Sequence, residues 1–145
     1  MPHASVQARR SSIEAGVAAR TARAALIGRD GRSCHVLLGE QSLRRRLGGV
    51  EVMRGQLVHL LEATGWKGWQ LGIVPARAEL ARLPTHGFNI YDEDLVSVET
   101  VASALDVTEP AEIAVYVKAF DWLRRSAVYG EEARGLIRTE LDALG

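Results

Sequence analysis

The apolar positions of this chain change period several times, and each change marks an element. Over residues 5–26, Ile13, Val17 and Ala24 share one helical face with Thr21 at its edge, and this spacing predicts a helix. Gly16 inside it costs about 1 kcal/mol relative to Ala, so the helix is expected to depend on docking. GRDGRS at 28–33 is a turn, and CHVLLG at 34–39 is a short apolar strand. Residues 40–47 form one or two helical turns, with Leu43 and Leu47 at i, i+4, and Gly48-Gly49 ends them. A helix over 50–64 places Met53, Leu57, Leu60, Leu61 and Thr64 on one stripe, and Gly65 closes it. WQLGIVP at 69–75 is a second strand stopped by Pro75, and 76–87 is a loop with room for a helical turn. FNIY and LVSVETV alternate as two further strands around the acidic turn Asp92–Asp94. Thr108 is the expected N-cap of a helix whose inner stripe is Ile113, Tyr116, Val117, Phe120 and Leu123. A last helix over 128–145 turns Ala133, Leu136, Ile137, Leu141 and Leu144 inward.

This order predicts a small layered domain of α/β (or α+β) class. It would have a mixed four-stranded sheet, a strand–helix–strand crossover, a hairpin and two C-terminal helices. At 145 residues the chain is one domain, with residues 1–5 expected to be disordered and 5–26 a docking helix.

Composition adds limits rather than an identity. No apolar run is long enough to cross a membrane, and the N-terminus MPHASVQARRSS has no secretion-signal core. Cys34 stands alone, so no disulfide framework or cysteine metal cluster is expected, and a cytoplasmic location is the simplest reading. The zero net charge conceals two opposed halves. Residues 1–46 carry nine Arg against Glu14, Asp30 and Glu40, a net +6, and the remainder carries −6. The basic residues are not interleaved with aromatics, which argues against direct nucleic-acid binding.

No strong catalytic signature appears. A phosphate-binding glycine loop is missing, and no two of the four His are placed at i, i+3 or i+4 to hold zinc, so no metal and no cofactor are expected. Cys34 and His35 are neighbours, but on a strand they point to opposite faces, which makes a poor nucleophile–base pair. Glu40 reads two ways: as an acidic first-turn residue facing the helix dipole, or as a wall of the crevice that opens at strand ends. Arg44 is spaced to pair with it at i, i+4. Gln56 and His59 flank an apolar stripe, and His86 sits in the loop before a strand. Glu99 matters only if its strand face meets a helix. Trp66, Trp69, Phe88 and Tyr91 gather at the strand entrances, as core or as the lining of an apolar pocket.

The motifs ARTARAAL, HVLLGEQSLRRRLGGVEVMRGQLVHLLE, LGIVP, GFNIYD, VSVET and YVKAFDWLRRSA resemble a known group. From about Val6 onward the chain is similar to the C-terminal domain of actinobacterial Xre-family helix-turn-helix regulators of the antitoxin-like type. The resemblance places Glu40, Leu43, Arg44, Gln56, Leu57, Pro75, Phe88, Glu99 and Phe120 at the group's recurrent positions. Two departures stand out. A DNA reader normally precedes this region, and the thirty-odd residues before HVLLG are too few for one. Ser97 also replaces a customary Tyr.

Two functions follow as expectations. The first is a regulatory-type module that binds a small apolar molecule or a protein partner, open to homodimer formation, without direct nucleic-acid or membrane binding. Arg44, Gln56, Trp69, Phe88 and Tyr91 would contact the ligand. The alternative is an enzyme in which Glu40, His86 and Glu99 perform acid/base isomerisation or cyclisation of a small apolar, natural-product-like substrate.

Overall fold

The computed structural model describes residues 15, 17–22, 25–82 and 84–145. The elements are β1 (Cys34–Gly39), a 3-10 turn (Glu40–Arg44), α1 (Val50–Ala63), β2 (Trp69–Val74), β3 (Asn89–Tyr91), β4 (Leu95–Glu99), β5 (Ala104–Val107), α2 (Pro110–Ser126) and α3 (Gly130–Ala143). The fold is mixed α/β, as expected. The single four-stranded sheet is not formed. The strands make two sheets, a parallel β1-β2 pair and an antiparallel sheet of order β3-β4-β5.

The parallel pair is the predicted crossover. Cys34 lies opposite Trp69 and Gly39 opposite Val74, with α1 between the strands in sequence. Both faces of this pair are covered, which explains its near-continuous apolar character. Val36, Leu38, Leu71 and Ile73 join Leu43, Leu57, Ala133 and Ile137 of the 3-10 turn, α1 and α3 in one core. Leu57, Ile73 and Ile137 are fully buried there. Leu47 is not the partner of Leu43 that the i, i+4 spacing suggests, because the turn ends at Arg44 and leaves Leu47 81% exposed.

The second core belongs to the antiparallel sheet. Val96, Val98, Val107 and Ile113 are buried, with Phe88, Ile90, Tyr116 and Val117 packed on them. The strand β5 escapes the hydrophobic pattern because only Val107 of its four residues is buried. It pairs with β4 from Val96–Val107 to Glu99–Ala104. The helix α2 therefore serves both sheets, through Ile113 and Tyr116 at its start and Phe120 further along. Its N-cap is Glu109 rather than Thr108, and no side chain caps it. Pro110 opens the helix, where a missing N–H costs nothing.

Two predicted features of the amino-terminal helix, Ile13 and Ala24, lie outside the described residues, as do residues 1–5. Residues 17–22 are helical, and Val17 is 56% exposed, so this part of the stripe is not docked.

Candidate functional site

Between the two sheets lies a broad open cleft of about 1270 Å³. The turn at residues 26–33, all of β1, the loop around Pro75 and Pro84, the hairpin and the Val117–Leu123 face of α2 line it. A sheet face would contribute alternate residues. Here six consecutive residues of β1 and all three of β3 take part, so strand edges look into the space.

The lining is largely apolar, with two histidines set into it. His35 lies on the second covered face of β1, against Phe120, at 5.0 Å between ring centroids in edge-to-face contact. Its Nε2 shares a 2.8 Å hydrogen bond with the Tyr129 hydroxyl. Burial, aided by the nearby Arg124 charge, pushes the His35 pKa below its ordinary value. Burial likewise raises the Tyr129 phenol and the Cys34 thiol. The neutral forms of all three are favoured.

This arrangement depends on a glycine. Gly72 lies opposite Leu37 in the ladder. A Cβ at Gly72 would stand 2.6 Å from Cε1 of Tyr129 and 2.9 Å from Cδ2 of Leu37. The absence of a side chain lets the phenol ring lie against the sheet and reach His35.

His86, from the loop before β3, forms the second site. Its Nε2 lies 3.3 Å from the Tyr116 hydroxyl, and its Nδ1 lies 3.2 Å from Thr85 Oγ1. Phe88 stacks edge-to-face on Tyr116 at 5.1 Å. Tyr91 sits in the lining close to the rim, 39% exposed. Three acidic residues at this rim, Asp30, Asp92 and Glu93, hold positive φ of 52°, 52° and 59°. Such backbone disfavours an L side chain by roughly 1 kcal/mol or more each.

The remaining expected site residues lie elsewhere. Glu40 is a structural clamp. One of its carboxylate oxygens accepts from Arg44 at 2.6 Å and the other from the Ala76 N–H at 2.6 Å. Arg44 continues to Glu140 on α3 at 2.8 Å, the contact that most raises its pKa, with Glu40 adding to it. Glu99 faces water on β4 and pairs with Arg20 at 2.9 Å, both side chains more than 60% exposed. Gln56 is exposed on α1. Trp69 stacks on Trp66, which stacks on His59, at 5.5 and 4.9 Å, away from the cleft lining. Of Glu40, His86 and Glu99, only His86 enters the cleft, so the three do not converge. Among the described residues no three His, Cys, Asp or Glu side chains gather as metal donors, and no helix is long and apolar enough to cross a membrane.

Sequence reasoning passed over His35. The alternation that separates it from Cys34 also places it beside Leu37 on a face that α2 covers. Nothing in CHVLLG by itself says that both faces are covered.

The model of one protein family matches residues 3–139, and that family is described as a domain of unknown function, DUF5753. The chain belongs to the DUF5753 family. No curated protein and no solved structure matches it. The family membership covers both sheets and the cleft, since the match runs through β1, the hairpin and α2.

Proposed function

We propose that this DUF5753 domain is a regulatory-type binding module whose ligand occupies the cleft between the two sheets. The observation that carries the reading is the cleft itself, an apolar space with His35 and His86 set into its wall and a tyrosine bracing each from behind. Apolar lining with a few fixed polar groups is what ligand sites use to combine affinity with orientation. The likeness to Xre-type regulators supports the same assignment. The enzyme reading has less support, because it needed Glu40 and Glu99 facing the substrate, and both are spent on surface or scaffold ion pairs.

A fragment screen followed by amide chemical shifts on the full chain tests this. Binders are expected to move the amides of residues 34–39, 86–93 and 117–123 together. Shifts that gather instead around Trp66 and Trp69, or no shifts from a broad library of fragments and peptides, would remove the cleft as the site.

A further inference from the structure

The edge of β1 has its own hydrogen-bonding phase. Cys34 N–H donates to the Gly68 carbonyl at 2.7 Å, and Cys34 lies opposite Trp69. In a parallel ladder this commits Cys34, Val36 and Leu38 to β2 and turns the N–H and C=O groups of His35, Leu37 and Gly39 outward. Ser42 Oγ takes the Gly39 carbonyl at 2.7 Å. No described residue takes those of His35 or Leu37. They open into the cleft, opposite β3, the terminal strand of the other sheet. Free backbone donors and acceptors in a row are a template for another strand.

The charge of the cleft selects the kind of strand. Among the described residues its charged lining is Asp30, Asp92, Glu93 and Asp121 against Arg32. An acidic rim around an open edge favours a segment that is extended and basic.

We infer that the cleft binds a basic, extended segment of a partner protein, which adds as a strand to the His35–Leu37 edge of β1 while its Lys or Arg side chains meet Asp92, Glu93 and their acidic neighbours. The inference rests on the cleft being the binding site and names what fills it. Alternate side chains of the added strand would face the apolar floor and the solvent, so the recognised segment alternates apolar and basic residues.

Three octapeptides test this on the full chain. One alternates Lys with Val, one alternates Glu with Val, and one is the Lys peptide N-methylated at every second amide. The Lys peptide is expected to slow exchange at the His35 and Leu37 amides roughly tenfold or more. The Glu peptide should bind at least about fivefold more weakly, and N-methylation should abolish the slowing. The double variant Asp92→Asn, Glu93→Gln should weaken the Lys peptide about fivefold while leaving the exchange pattern at saturation unchanged. Equal binding of Lys and Glu peptides, or binding that leaves both amides unprotected, overturns the inference. Protection that grows with protein concentration before any peptide is added assigns the edge to a second copy, and overturns it too. Fragments that shift cleft amides while all three peptides fail would sink strand addition alone. Failure of both would sink the cleft reading with it.

Discussion

At the scale of single residues, His35 shows how burial becomes a pH dependence. Its pKa is depressed in the folded state, so the unfolded chain takes up the proton first on acidification. The native state is then favoured fully above the ordinary value near 6.5, and that advantage falls as pH drops from there toward the folded pKa. Denaturation midpoints measured between pH 8 and 5 should decline over this window, and His35→Gln should flatten the decline. Gly72→Ala would force Tyr129 and Leu37 aside, costing about 1–3 kcal/mol in urea unfolding. The same change should push the Tyr129 ring off His35, and the lost burial should bring the His35 pKa back toward its ordinary value in an NMR titration. Neither residue could be singled out from sequence. His35 looks like any strand residue, and Gly72 in LGIV reads as a weak point rather than as the seat of a ring 57 residues further along the chain.

At the scale of elements, local pattern was a good guide wherever one face was buried. The crossover, α1, the β3-β4 hairpin and α3 fall within a residue or two of their predicted spans. The failures have physical causes. The strand β5 is held mostly by its ladder to β4 and contributes one buried side chain, so it carries almost no hydrophobic signal. The single sheet expected from four strands divides because α2 packs between the two groups, a tertiary choice that periodicity does not encode. Long-range polar ties decide how elements dock. From α3, Arg134 donates to the Leu61 carbonyl at 2.9 Å and to Thr64 Oγ1 at 2.6 Å, joining the Thr64 hydroxyl, which also donates to the Leu61 carbonyl at the end of α1. Glu40 likewise joins the 3-10 turn to the Ala76 loop and, through Arg44, to α3. Its side chain is only 13% exposed, and Glu40→Ala should lower stability by about 1–2 kcal/mol, read as a shifted urea midpoint with unchanged slope.

At the scale of the whole molecule, two cores of unequal size share one helix. Among the described residues the parallel-sheet core holds three of the four largest fully buried side chains, and the antiparallel core holds Val96. Local opening is expected to begin in the sheet with the smaller core. Native-state hydrogen exchange should therefore show the slowest amides around Ile73 and Ile137 and faster subglobal exchange across β3–β5; uniform rates through both sheets would contradict this. The opposed charges read from the sequence meet across the fold at Arg20–Glu99 and Arg44–Glu140, both partly exposed and individually worth little. The acidic half also supplies three of the four carboxylates at the cleft, which the sequence showed only as net charge.

Val128, in the short link between α2 and α3, exchanges hydrogen bonds with Ile73 at 3.0 and 2.8 Å. It thereby bridges the far side of β2 at Ile73, while the Trp69 amide is taken by Trp66. That bridge interrupts the β2 flank of the parallel sheet, whereas no described residue interrupts the β1 flank at His35 and Leu37. Should this sheet ever self-associate, two molecules would meet through their β1 edges instead of propagating into a fibre, because the Val128 bridge leaves too short a run of backbone beside β2 to seat a further strand.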